Sequence, residues 1–318
     1  MNTTASSPLL QADFLRKRYG EREAVRGISL QVSAGEVLGL LGPNGAGKSS
    51  TIAMLAGLSR PDGGSVTVGG TALAQDEFGY KRRIGLVPQE LALFEDLPAL
   101  ANVELFGALY ELPAAQVRAR AMEVLAQVGL ADRAQDKPAS FSGGMKRRLN
   151  IACALIHGPE LLLLDEPTAG VDPQSRNAIF EQLEALKRAG MALVYTTHYM
   201  EEVERLADRM LIIDHGQQVA HGSLAELYRL LPAAETLSLE LEREIDSNLD
   251  ATLRALPGVQ QLQRRGSQLQ FGLSDLGRGS AAVLGALAAA GVAPRHISSG
   301  RANLEDVFLS LTGRQLRD

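Results

Sequence analysis

One cysteine in 318 residues leaves Cys153 nothing to pair with, which excludes an intrachain disulfide and suits a reducing compartment. Cys153 falls within an apolar helical pattern, the place of a small core residue rather than of a reactive thiol. A basic excess is also lacking. The net charge of -5 argues against broad nucleic-acid binding, which needs an electropositive surface. No export leader is visible, because Met1 to Gln11 has neither a basic opening nor a long apolar core. Long hydrophobic runs are missing as well: Ala281 to Ala293 is shorter than the about 20 apolar residues that cross a bilayer. The expectation is that any work at a membrane goes through a partner. His157, His215, His221 and His296 show no metal-ligand spacing and are expected to be structural or solvated. The hydrophobic content of 45% and charged content of 22% are ordinary for a globular protein, with length enough for one large domain and a small one.

What is present centres on Gly42-Pro43-Asn44-Gly45-Ala46-Gly47-Lys48-Ser49, a G-x-x-x-x-G-K-[ST] phosphate loop. The apolar run Val37 to Leu41 before it suits a buried strand, and Ser50 to Gly57 after it suits a helix stopped by glycine. A strand, a glycine turn and a helix N-terminus bring several backbone N–H groups together, which favours a polyphosphate. Lys48 is placed to reach the β- and γ-phosphates, Ser49 to ligate Mg²⁺, and Ser50 to join the phosphate contacts.

Ala12 to Tyr19, Ala24 to Val32 and Ser65 to Val68 read as early antiparallel strands punctuated by glycine turns. Ile84 to Gln89 is another apolar run, closed by Pro88. Ala99 to Gly129 has helical spacing and implies a helical lobe. After Phe141-Ser142-Gly143-Gly144-Met145 a helix is expected to begin just past the two glycines, carrying Lys146 to Arg148 as a solvated basic face. Leu161 to Leu164 reads as a buried strand ending in Asp165-Glu166, where α/β folds place ligands, although four leucines alone suit a helix equally. There Asp165 is placed to hold Mg²⁺ through water and Glu166 to polarise an attacking water; a pair of solvated turn acids is the bland alternative. Asp172 is a plausible N-cap for the helix starting at Pro173, and Met191 to Thr197 is a further buried strand ending at His198. Beyond Glu235, strand candidates at Thr236–Leu241, Gln260–Gln263, Gln268–Leu273 and Arg295–Ser298, with helices between, suggest a small α+β domain.

Taken together, residues 10 to 230 resemble the ATP-binding subunit of an ABC transporter. Gly42 to Ser49 resembles its Walker A loop, Leu161 to Asp165 its Walker B strand and Glu166 its catalytic glutamate. Gln89 is similar to the Q-loop glutamine, Ser142-Gly143-Gly144 to the signature, Ala169 to Asp172 to the D-loop, His198 to the switch histidine and Tyr19 to the ring stacked on adenine. Phe141 and Met145 depart from the usual leucine and glutamine, and Met145 with Lys146-Arg147-Arg148-Leu149 resembles the drug- and antibiotic-export branch; the tail Asn303 to Phe308 resembles that branch too.

The resemblance implies an α/β P-loop NTPase cassette with a mixed sheet core, an antiparallel β subdomain and a helical subdomain over about 96–158, spanning 1–234, with an accessory α+β domain over 235–318. It implies ATP and Mg²⁺ as cofactors, with Gln89 sensing the metal and His198 holding the γ-phosphate. It also implies a membrane permease partner, a second cassette (a homodimer) supplying Ser142 to Gly144 in trans, and a place on the cytoplasmic face of the membrane. The runner-up is a soluble ABC-type ATPase acting on nucleic acid, ribosome or a protein scaffold, but one cassette, no sustained heptads and one cysteine do not suit it.

Overall fold

The computed structural model describes residues 7–231, 235–301 and 303–313, so the opening stretch Met1 to Gln11 lies partly outside the described residues. The chain divides into two compact units, one running to Gly222 and one starting at Ser223.

The first unit opens with β1 (Leu10–Tyr19) and β2 (Arg22–Val32), then β3 (Val37–Leu41), α1 (Lys48–Leu55), β4 (Gly63–Val68), β5 (Thr71–Ala72), α2 (Glu77–Arg82) and β6 (Ile84–Val87). A helical stretch follows: α3 (Ala99–Leu109), α4 (Ala114–Gln127) and, after two 3₁₀ turns, α5 (Gly143–Leu155). The chain then alternates through β7 (Leu161–Asp165), α6 (Pro173–Arg188), β8 (Ala192–Thr197), α7 (Met200–Leu206), β9 (Arg209–Asp214) and β10 (Gln217–Gly222).

Six strands form one sheet in the order β10-β9-β3-β8-β7-β6. Every pairing from β9 to β6 is parallel and β10 is antiparallel, which makes the sheet mixed. Strands β3, β7 and β8 are buried at every residue, because helices or a second sheet cover both faces. That coverage explains their unbroken apolar runs: each buried leucine of Leu161 to Leu164 contributes about 1.5–3 kcal/mol by leaving water. The second sheet, β2-β1-β4-β5, is antiparallel and encloses one core with α1 through Leu15, Ile28, Leu40 and Leu55. A second core lies among α3, α4 and α5 and the far face of the six-stranded sheet, where Val103, Leu125, Cys153 and Leu164 meet.

The helix expected after the two glycines starts at the first of them. Ser142 is its N-cap, its hydroxyl accepting from Met145 N at 3.3 Å, so Gly143 and Gly144 form the first turn. Asp172 caps α6 as expected, accepting from Ser175 N at 2.9 Å with Pro173 at the first helical position.

The second unit runs α8 (Leu224–Tyr228), β11 (Glu235–Leu241), α9 (Ser247–Arg254), β12 (Val259–Arg265), β13 (Gln268–Leu273), α10 (Leu276–Ala289), β14 (Pro294–Arg301) and α11 (Leu304–Thr312). Its β-α-β-β-α-β core is the ferredoxin-like arrangement, an antiparallel sheet ordered β12-β13-β11-β14. Leu237, Leu239, Phe271, Leu253 and Val283 give this unit a core of its own.

Candidate functional site

The phosphate loop turns between β3 and α1 because glycine lets it. Gly47 has φ 107°, and a Cβ there would strike Ala24 O at 2.5 Å. A Cβ on Gly42 would lie 2.2 Å from Ile213 O. No side chain caps α1, unlike α5 and α6, so its first-turn N–H groups remain available for an anion. The loop borders a cavity of about 400 Å³ lined by Tyr19, Arg22, Ala24, Asn44, Gly45, Gly47, Lys48, Ser49, Ser50, Gln89 and Glu166.

Glu166 is the focus of the charge in that cavity. Its carboxylate lies 3.6 Å from Lys48 Nζ, 3.3 Å from His198 Nδ1 and 3.5 Å from Gln89 Nε2. The approach of His198 lacks hydrogen-bond alignment, and its buried Nδ1 has no bonded partner. Lys48 donates to Gly42 O at 2.7 Å and to Pro43 O at 3.1 Å. Burial lowers the Lys48 pKa from its ordinary value, and the Glu166 and Asp165 carboxylates oppose that shift. Glu166 itself sits at φ 46°, a conformation that non-glycine residues rarely adopt.

Thr196 holds the acidic pair in place. Parallel pairing of β7 and β8 sets Asp165 opposite Thr196. The Thr196 hydroxyl donates to Asp165 Oδ1 at 2.6 Å and accepts from Glu166 N at 2.9 Å. These acids are buried at the end of β7, so the solvated-turn alternative does not hold. Sequence reasoning missed Thr196, whose only signal was a hydroxyl at the carboxyl end of an apolar strand. It also missed Arg22, which lines the cavity and donates to Gly45 O at 3.1 Å.

Ser142, Gly143, Gly144 and Asp172 line no part of this cavity, and Ser142 and Gly143 are exposed. The basic run beside them departs from expectation. Arg147 is buried, and its guanidinium donates to Pro88 O and Gln89 O at 2.8 Å each. Lys146 pairs with Glu95, and Arg148 donates to Val128 O at 3.0 Å. The run is a set of struts rather than a solvated face, because each cation has a carbonyl or carboxylate within reach. Met145 packs partly buried against the core in place of an amide.

The donor set fits a magnesium-bound triphosphate. A Cβ-free cradle, a buried ammonium and uncapped helix N–H groups suit phosphate, while Ser49 and Gln89 in the cavity lining, with Asp165 buried next to Glu166 in sequence rather than in the lining, offer the oxygen donors Mg²⁺ prefers. A loop of this build between a parallel strand and a helix defines a P-loop nucleotide hydrolase.

The ABC transporter family's sequence profile matches residues 25–169. The linearmycin resistance ATP-binding protein of Bacillus subtilis is 44% identical over 98% of this chain and all of its own length. The Nod factor export ATP-binding protein I of Ralstonia nicotianae is 38% identical, covering 98% of this chain and 96% of its own. The daunorubicin/doxorubicin resistance ATP-binding protein of Streptomyces peucetius is 38% identical over 100% of this chain and 96% of its own. Among solved structures, an ATP-binding subunit of an ABC transporter superposes with TM-score 0.63 at 32% identity, covering 70% of this chain and 92% of that one. A cassette solved as a post-hydrolysis dimer with ADP and Pi gives 0.61 at 29%, covering 68% and 98%. The chain belongs to the ABC transporter family, as an ATP-binding subunit.

It binds ATP with Mg²⁺ and hydrolyses it to drive transport, and subunits of this kind dimerise and work with a membrane component. Among the described residues no helix is long and apolar enough to cross a membrane.

Proposed function

We propose that two copies of this chain close on two ATP molecules and, on hydrolysis, power a membrane permease from the cytoplasmic face. The cargo we propose is a compound of the resistance and export kind that the relatives' names describe. Residues 1–234 do the nucleotide work in this reading, and 235–318 are accessory.

The supporting observation is a division of parts. Lys48, Gln89 and His198 gather on one carboxylate in the cavity, while Ser142 and Gly143 stand exposed outside it. The Ser142 cap engages Met145 N, which leaves the Gly143 and Gly144 N–H groups of this helix N-terminus, kept away from its own phosphate loop, to suit another chain's phosphate. Each role then follows from placement. Tyr19, half-exposed at the cavity rim, stacks on adenine. The Gly42–Ser49 loop, with Pro43, Asn44, Ala46 and Ser50, holds the phosphates, and Lys48 takes the β- and γ-phosphate charge. Ser49 and Gln89 ligate Mg²⁺, and Asp165 reaches it through water. Glu166 accepts a proton from the attacking water, and His198 orients that water and the γ-phosphate. Ser142 to Gly144 and Asp172 act across the pair. Pairing of the basic run Lys146 to Arg148 with protein groups supports a chain that uses no nucleic acid.

Glu166→Gln is expected to keep ATP binding and lower turnover about 10²–10⁴-fold, the usual worth of a positioned base. With MgATP the same variant is expected to accumulate as a dimer in light scattering. Near-normal turnover, or a monomer at saturating MgATP, overturns the reading.

A further inference from the structure

Behind the catalytic wall lies a buried carboxylate that none of the assigned roles uses. Glu202, on α7, is 3% exposed. Its Oε1 accepts from Thr168 Oγ1 at 2.7 Å, and its Oε2 accepts from Tyr195 Oη at 2.9 Å and Thr197 Oγ1 at 2.7 Å. Thr168, Tyr195 and Thr197 are themselves at most 1% exposed. Arg176 Nε, on α6 just past Asp172, lies 3.5 Å from Oε1. Each hydroxyl has one proton to give, and the carboxylate takes all three, so the arrangement needs an acceptor at both oxygens.

These partners flank the reactive groups. Thr168 stands two residues after Glu166. Tyr195 and Thr197 stand before His198, and the Thr197 hydroxyl, while donating to Glu202, accepts from Tyr199 N at 2.9 Å. The backbone is thus tied on both sides of His198. Arg176, on α6 four residues past Asp172, sets its charge beside the same carboxylate without a hydrogen bond from Nε and lies 5.2 Å from the centre of the Tyr199 ring. Thr196 ties β8 to the start of the Glu166 turn, and Glu202 ties the residues on either side, Thr168 beyond Glu166 and Thr197 before His198, whereas His198 Nδ1 approaches the Glu166 carboxylate without bonding it.

We propose that Glu202 is a positioning residue for ATP hydrolysis. It touches no nucleotide. It holds the Glu166 turn and the His198 turn in one register, so that carboxylate and imidazole meet the attacking water together. The proposal rests on the roles given above to Glu166 and His198.

Glu202→Gln keeps the shape but turns one acceptor into an N–H₂ donor facing hydroxyls that already donate. In the full chain it is expected to keep the KM for ATP within about threefold and lower kcat about 10–100-fold, the cost of a misplaced reacting group. Thr197→Val is expected to lower kcat in the same way, and Thr197→Ser to restore it. The decisive comparison is in a background that lacks both groups. If Glu202 acts through Glu166 and His198, adding Glu202→Gln to Glu166→Gln/His198→Ala lowers the residual kcat less than about twofold further. A kcat for Glu202→Gln near wild type, or an undiminished further loss in that background, overturns the proposal. If Glu202→Gln does not fold, the Thr197 pair decides: equal kcat for Val and Ser refutes the tie. Normal turnover in Glu166→Gln and His198→Ala themselves instead refutes the parent reading, which keeps the two failures apart.

Discussion

His157 shows how burial retunes one side chain. Its ring stacks on Tyr110 with centroids 3.7 Å apart, and Nε2 meets Ile84 O at 2.9 Å. Desolvation, aided by the charges of Arg82 and Arg120 and opposed by the Ile84 carbonyl, lowers its pKa from 6.5 to about 4. Between those values the unfolded chain binds a proton that the folded chain refuses. Stability therefore falls as pH drops from 6.5 towards 4 and levels off below, a loss on the order of 3 kcal/mol. Denaturant unfolding across that window is expected to show the slope, and His157→Phe, which keeps a ring but cannot titrate, to flatten it. Spacing alone leaves His157 structural or solvated, and the depressed pKa depends on residues dozens of positions away. Thr196 makes the same point: its hydroxyl matters because β8 pairs with β7, a register that no local pattern announces.

At the scale of elements, the two glycines that open α5 have different work. A Cβ on Gly143 would meet nothing within 4 Å, whereas one on Gly144 would come 2.2 Å from Ser175 Cβ on α6. Gly143→Ala is expected to leave stability within about 0.5 kcal/mol yet weaken ATP-driven pairing, because its face is exposed. Gly144→Ala is expected to cost about 1–3 kcal/mol by forcing the two helices apart. Thermal unfolding beside light scattering separates the two effects. The buried strands and the phosphate loop were legible because apolar runs and glycine spacing are local signals. Helix α2 was not legible, being one short turn and a half fixed by the Asp76 cap and by Tyr80 buried against Leu55 O. Neither was the burial of Arg147, whose acceptors at Pro88 and Gln89 lie far back in the chain. The basic run looked solvated because charge is local and carbonyl supply is not.

For the whole molecule, separate cores have a thermodynamic signature. The unit ending at Gly222 encloses two apolar clusters and the one starting at Ser223 a third of its own. Calorimetry is expected to resolve two transitions. MgATP at a hundred times its Kd adds about 2.7 kcal/mol to the state that binds it, which moves only the larger unit's transition, by about 5–10 °C. A shift shared equally by both transitions would contradict independent unfolding. Cys153 is 1% exposed, and burial pushes its thiol pKa up, so it resists alkylating probes in the folded chain. A spin label or fluorophore attached through a cysteine introduced at the surface would therefore report from that position alone, and the opening and closing of the pair can be followed by distance without first rebuilding the interior.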